Sequence, residues 1–174
     1  MGDLWGPWQA QPIAIPAALL PRVDAACRAN MQPFPTVPLV ALDARGDGLI
    51  QALFSGPNGE AFCQDMKVTR EGKVEALGGG FTSRGQPAPG PAPFALENAG
   101  GMGSGGGPNG GRVVALGRAG PGITAVVIDV PGQGRLSASL TNGWYIAALP
   151  GNWPRGTKVI GLDATGDEVA TTGP

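Results

Sequence analysis

No histidine occurs in this 174-residue chain, and that absence removes more chemistry than any other feature of the sequence. Ser-His-Asp and Cys-His nucleophile pairs both need an imidazole to carry the proton. A zinc site would have to be built from carboxylates and thiolates alone. Charge is scarce as well: charged residues make up 14% of the chain, against about 25% in an ordinary soluble domain. The net charge is −1 with both signs mixed, so no basic field exists to gather phosphates and no nucleic-acid partner is expected. No apolar run approaches the roughly 18 residues of a membrane-crossing helix, so no span is expected. The opening MGDLWGPWQAQPIAIPAALLPRV lacks the basic start and unbroken apolar core of a signal peptide. If the protein is exported, its signal or anchor has been removed from this sequence.

What the chain has in abundance is turn-forming residues, with 31 glycines and 18 prolines. The glycines follow no three-residue period, which excludes collagen. So much Gly and Pro beside clear apolar alternation predicts a mostly β fold, an antiparallel β-sandwich or two related β-meanders of about 9–10 strands with one short N-terminal helix. The two cysteines, Cys27 and Cys63, have no CxxC spacing. One reading joins them in a disulfide, which would place the protein outside the cytoplasm. The other leaves two buried thiols, since Cys packs as a small hydrophobe.

Residues 1–18 carry Trp5 and Trp8 among Gly, Gln and Pro and read as an extended arm tucked against the body, or as a linker. Pro21 suits a first helical turn, Val23 and Cys27 form an i, i+4 apolar pair, and Asn30 suits a C-terminal stop. Residues 19–77 thus read as a helix plus a first meander, with strands near 38–43, 49–55, 60–68 and 73–77 and tips ARGDG, GPNG and REG. Asp43 and Gly46 fit a type I turn closed by a glycine bulge. From 78 to 111 apolar residues thin out and the tract reads as a Gly/Pro-rich linker, with Phe94, Ala95 and Leu96 able to anchor its middle. Residues 112–174 read as a second meander, four-stranded over 112–151, with a terminal hairpin. Offsetting the chain by 74 residues aligns Leu42 with Leu116, Gly46 with Gly120, Gly48 with Gly122 and Pro57 with Pro131. That predicts an internal repeat, or two unrelated meanders that share hairpin grammar.

Candidate sites are few. Arg45-Gly46-Asp47 spells an integrin-type tripeptide, short enough to recur by chance, and Gly46 has its own role in the turn. Gly101-x-Gly103-x-x-Gly106 is not read as a dinucleotide fingerprint, because it lies in a glycine tract leading into a strand. DARGDG lacks the carboxylate ladder of a calcium loop, leaving at most a weak cation site at Asp43 and Asp47. Paired carboxylates could still serve a hydrolase, yet Asp43, Asp47, Asp163 and Asp167 sit at turn positions, where Asp is favoured for local hydrogen bonding. Asp65 and Asp129 lack an evident partner. No catalytic residue, metal or cofactor is therefore assigned. Adjacent Trp144 and Tyr145 would face opposite sides of a strand, and Trp153 with Arg155 follows in a PGNWPRG loop. These four are the candidate ligand-binding residues, able to stack on a sugar or grip a peptide, unless they fill or cap the core.

The stretch VVALGRAGPGITAVVIDVPGQGRLSASLTNGWYIAALPG resembles the uncharacterised extracytoplasmic β-rich domain of membrane-anchored proteins from actinobacteria and other high-GC bacteria. The matching positions are Gly117, Arg118, Gly120, Pro121, Thr124 and Val126. They continue through Asn142, Gly143, Trp144, Tyr145, Ala147, Pro150 and Gly151 to Leu162, Asp163, Ala164 and Gly166. The upstream order of helix cysteine, L-D-A-R-G-D-G hairpin and strand cysteine fits too. The resemblance implies an extracytoplasmic β-rich architecture, cell-surface or secreted. The function expected for such a domain is non-catalytic sensing or binding of a protein, a wall glycan or a small molecule at the cell surface. A structural or adhesive module, or a carboxylate-based glycoside hydrolase, is the alternative. The family carries no agreed catalytic residues to transfer.

Overall fold

The computed structural model describes residues 3–31, 36–82, 92–103, 112–151 and 154–173. The chain divides into two compact units, Met1–Ala88 and Pro89–Pro174. Both are built from antiparallel strands, and among the described residues the one helical segment lies in the first.

In the first unit a 3-10 turn, Ala17–Leu19, leads into α1, Leu20–Asn30. Proline at the start of α1 donates no N–H where none is needed. The helix ends at Met31, which turns extended while its N–H still bonds Cys27 O at 3.3 Å. An 11-residue helix is marginal alone, so its docking decides whether it forms. Val23 and Cys27, one turn apart, are fully buried. Arg22 donates to Gly72 O at 2.8 Å and Arg28 to Val37 O at 2.9 Å. A Cys27–Cys63 disulfide, Cα atoms 5.8 Å apart, then joins α1 to the sheet. Closing a 36-residue separation is worth about 4 kcal/mol in the chain-entropy picture.

That sheet comprises β1 (Leu39–Ala44), β2 (Leu49–Gly56), β3 (Gly59–Val68), β4 (Val74–Glu75) and β5 (Gly78–Thr82). Its order is β1-β2-β3-β4, with β5 also paired to β3. One face of the sheet, carrying Ile50, Ala52, Phe54, Ala61, Cys63, Met66 and Val68, packs with Leu4, Ile13, Val23, Cys27 and Met31 into one core. Opposite Gln51, β3 has a bulge at Gln64 and Asp65, where the register jumps from Ile50↔Met66 to Ala52↔Cys63. Asp65 there takes φ 52°. The buried Gln51 side chain answers the bulge, accepting from the Asp65 N–H at 3.0 Å and donating to its carboxylate at 2.8 Å.

The second unit holds β6 (Leu96–Gly103), β7 (Arg112–Ala119), β8 (Ala125–Val130), β9 (Gly134–Ser137), β10 (Ser139–Thr141), β11 (Trp144–Pro150), β12 (Lys158–Leu162) and β13 (Glu168–Thr172). They form two four-stranded sheets, β10-β11-β7-β6 and β13-β12-β8-β9, in a β-sandwich-like arrangement. Val126, Ile128 and Val130 alternate with half-buried residues along β8, the period-2 pattern of a sheet with one packed face.

Three expectations need correcting. Residues 112–151 are not a four-stranded meander: β7 and β8 lie in different sheets, and β7 pairs β11 and β6. Pro121, between them, cannot adopt the positive φ of a tight reversal, and the chain crosses instead. The tract 78–111 is not wholly linker, because β5 and β6 are hydrogen-bonded strands within it. The strand expected over 73–77 shortens to Val74–Glu75.

Candidate functional site

The densest polar construction in the first unit lies at the β1–β2 tip. Asp43 near the end of β1 and Arg45 just beyond it are two residues apart, and their side chains meet. Arg45 grips the Asp43 carboxylate with both arms, Nε to Oδ2 at 2.8 Å and Nη2 to Oδ1 at 3.2 Å, both side chains fully buried. The reversal then uses three successive positive φ values, Gly46 at 113°, Asp47 at 58° and Gly48 at 68°, which differs from the expected type I turn with a glycine bulge. The N-terminal residues lie across it. Gly48 N–H bonds Leu4 O, Asp47 N–H bonds Gly6 O, Gln9 N–H bonds Arg45 O and Ile13 N–H bonds Ala44 O, each at 2.7 Å. Arg45 Nη1 reaches Ala10 O at 2.5 Å, and Trp5 Nε1 donates to Val68 O at 2.9 Å. The Arg45-Gly46-Asp47 tripeptide is thus not a surface motif. Its guanidinium is interior, and Asp47 alone is exposed.

In the second unit, Trp144 and Tyr145 project to opposite faces of β11, as alternation requires. Tyr145 is fully buried and its ring lies over Gly117, its register partner. Its hydroxyl donates a long 3.4 Å bond to Glu97 O. Burial pushes its phenol pKa well above the ordinary value. Trp144, 8% exposed, belongs to a row crossing four strands, Thr141–Trp144–Arg118–Glu97. Arg118 sits 5.8 Å from the indole centroid and 3.6 Å from the Glu97 carboxylate. Neither ring is open to solvent. Arg155 is exposed and lies beyond Pro150, at the opposite end of β11 from Trp144. The structure therefore gathers none of Trp144, Tyr145 and Arg155 into one site. Trp153 lies outside the described residues.

The end of the second unit near Trp144 gathers four connections. Gly122 N–H bonds Pro93 O at 2.8 Å, Ala119 N–H bonds Gly143 O at 2.8 Å, and Thr124 N–H bonds Leu162 O at 2.8 Å. Turns 92–95, 120–124, 141–143 and 163–167 are so collected at one end of the sheets. Phe94 is 55% exposed there, its ring beside Gly122. At the 163–167 tip, Asp163 Oδ1 accepts from Thr165 N–H at 2.8 Å, Thr165 Oγ1 at 2.7 Å and Asp167 N–H at 3.0 Å. These bonds, the Thr165 hydroxyl foremost, hold its carboxyl below the usual range. Asp163 is thus a committed carboxylate at neutral pH, poorly suited to act as a general acid. Among the described residues no group of three or more His, Cys, Asp or Glu side chains stands ready to hold a metal ion. No helix there is long and apolar enough to cross a membrane.

Sequence reasoning missed the Asp43–Arg45 pair and the Gln51–Asp65 exchange, and read Phe94 only as an anchor for the middle of the 78–111 tract. The i, i+2 spacing of opposite charges in a chain so poor in charge was the available signal for the first. Phe94 is exposed instead, which follows from how the turns gather.

The fold and these sites define a two-unit antiparallel β protein with a disulfide-fastened helix. No family model, curated protein or solved structure matches the chain.

Proposed function

We propose that this chain is a non-catalytic binding or sensing domain of the bacterial cell surface, working outside the cytoplasm. The observation that carries the reading is the Cys27–Cys63 disulfide, which ties α1 to the middle of the first sheet with both cysteines fully buried. Structural disulfides persist in oxidising compartments and are rare in the cytosol. The resemblance of residues 20–77 and 112–172 to the actinobacterial extracytoplasmic domain points the same way. Several carboxylates are committed to structure: Asp43 to Arg45, Asp65 to Gln51, Glu168 to Arg135, and Asp163 to its own turn. That division of labour favours binding over acid–base chemistry.

The contact surface proposed is the loop end of the second unit, with Phe94 at its centre and the 163–167 tip beside it. Gathered loops on a rigid sandwich are where such folds bind their partners. The partner is a surface protein or a wall glycan.

Two measurements test this. In the native cell, a membrane-impermeant amine reagent should label exposed Lys73 and Lys158 without lysis. Labelling only after lysis would overturn the extracytoplasmic assignment. Cosedimentation with isolated cell-wall material should fall markedly in Phe94→Ser, whose fold is checked by circular dichroism. Unchanged retention would remove the loop end as the contact surface.

A further inference from the structure

The N-terminal arm is bound to the first unit in a manner unlike the rest of the core. Residues 3–13 form no helix or strand of their own, yet they meet the β1–β2 tip through a run of main-chain bonds. Two consecutive amides, Asp47 and Gly48, point outward from a left-handed reversal and receive the carbonyls of Gly6 and Leu4. Successive amides in such a turn form a concave donor site for carbonyl or anionic oxygens. Next to them the Ala44 and Arg45 carbonyls accept the amides of Ile13 and Gln9. The buried Arg45 guanidinium offers a further donor, taken by Ala10 O. Trp5 supplies the side-chain anchor, its indole N–H on Val68 O and its ring 6.0 Å from the Arg70 guanidinium. Leu4 and Ile13 occupy apolar sites at the two ends of the contact.

From this arrangement we infer that the β1–β2 tip is a peptide-recognition groove whose resident occupant is the chain's own arm. Main-chain bonds supply the bulk of the contact and tolerate many sequences; Trp5, Leu4 and Ile13 supply its selectivity. The arm itself opens with a turn, Gly6 N–H bonding Asp3 O at 3.0 Å. A competing partner is accordingly a protein segment that makes the same opening turn, with an indole at the Trp5 position and aliphatic residues at the Leu4 and Ile13 positions. In the second unit the amides of Gly120 and Gly122 also receive carbonyls from an upstream turn, those of Ala95 and Pro93, but at a tip without positive φ, so the paired consecutive donors are particular to the first tip.

This inference is independent of the compartment proposed above, because exchange at the groove is measured on purified protein. A protease recognition sequence placed between Ala14 and Ile15 of the full chain allows the arm to be cut after folding. A fluorescent synthetic peptide of residues 3–14 should then replace the cut arm, while uncut protein excludes it. The Trp5→Ala peptide should bind at least about tenfold more weakly. Amide exchange at Asp47 and Gly48 should quicken on cutting and slow again when the peptide is added. The inference is overturned if the peptide fails to enter cut protein, enters uncut protein equally, or binds the same without its indole. Loss of cooperative unfolding on cutting alone would also overturn it, since the arm would then be core and not ligand.

Discussion

Residues 44–49 and 118–123 stand 74 positions apart and share Gly-x-Gly, yet they lead the chain to different places. In both, the residue after the second glycine bonds back to the first: Leu49 N–H to Gly46 O at 3.1 Å, Ile123 N–H to Gly120 O at 2.9 Å. In the first unit the strands on either side pair as a hairpin. In the second they part into different sheets. The residue between the glycines explains the difference. Asp47 sits at φ 58° between two positive-φ glycines, and Asp tolerates that region better than most residues. Its counterpart Pro121 is fixed near φ −65° and has no N–H, and neither Gly120 nor Gly122 is at positive φ. Matching glycines therefore do not guarantee matching turns. The residue they flank decides whether a strand returns to its own sheet.

The largest expected effect breaks the feature that the first tip has and the second lacks. Arg45→Met leaves the Asp43 carboxylate buried without its guanidinium, and should lower unfolding free energy by about 3–5 kcal/mol in urea denaturation. Adding Asp43→Ala to it should recover most of the loss, because the cost is that of an uncompensated charge. Next comes the exchange of central residues. Asp47→Pro cannot take the required φ and loses the amide bonded to Gly6, so a loss on the order of 3 kcal/mol is expected. The reverse change, exposed Pro121→Asp, should shift the thermal midpoint by no more than about 0.5 kcal/mol implies. Equal costs for the two exchanges would refute the backbone explanation.

The smallest effect concerns Tyr145, the chain's single tyrosine, whose ionisation is readable from the tyrosinate absorbance band without interference from another. Burial raises its folded-state pKa, so the fold holds the phenolic proton more tightly than the unfolded chain does. The stability that this contributes is fully present below the ordinary tyrosine pKa of about 10 and is lost as pH climbs toward the folded value. Tyr145→Phe should flatten that alkaline decline and cost at most about 1 kcal/mol at neutral pH, given a hydrogen bond as long as 3.4 Å. A phenol that titrates at its ordinary pKa would show that the ring is not sealed from water.

Strand positions were largely legible where side chains alternate. The Val126, Ile128, Val130 series of β8 and the apolar run of β2 announce themselves by period and by the turns around them. The helix was legible from Pro21, Val23, Cys27 and Asn30. The pairing of those strands was not, since the same glycine spacing serves a hairpin in one unit and a crossover in the other. The strands β5 and β6 were hidden for a related reason. Glycine there serves close packing: a Cβ at Gly79 would come 2.6 Å from Phe62 O and 2.9 Å from Met31 Sδ. Composition cannot separate that use from a linker. At the candidate sites the residue types were visible and their surroundings were not. Trp144 and Tyr145 stood out as aromatic candidates for binding and are interior, whereas Phe94, read as an anchor of its tract, is exposed.

By itself the sequence determined the fold class and removed histidine-based chemistry. Without an imidazole it has no ordinary proton carrier for nucleophilic catalysis, and its alternating apolar residues between turn formers commit it to antiparallel strands. Tertiary structure alone decided which strands meet, that Arg45 turns inward onto Asp43, that the arm lies along the first tip, and which aromatic ring meets water. Those outcomes depend on backbone angles at a few residues and on neighbours distant in sequence. Local pattern carries no record of either.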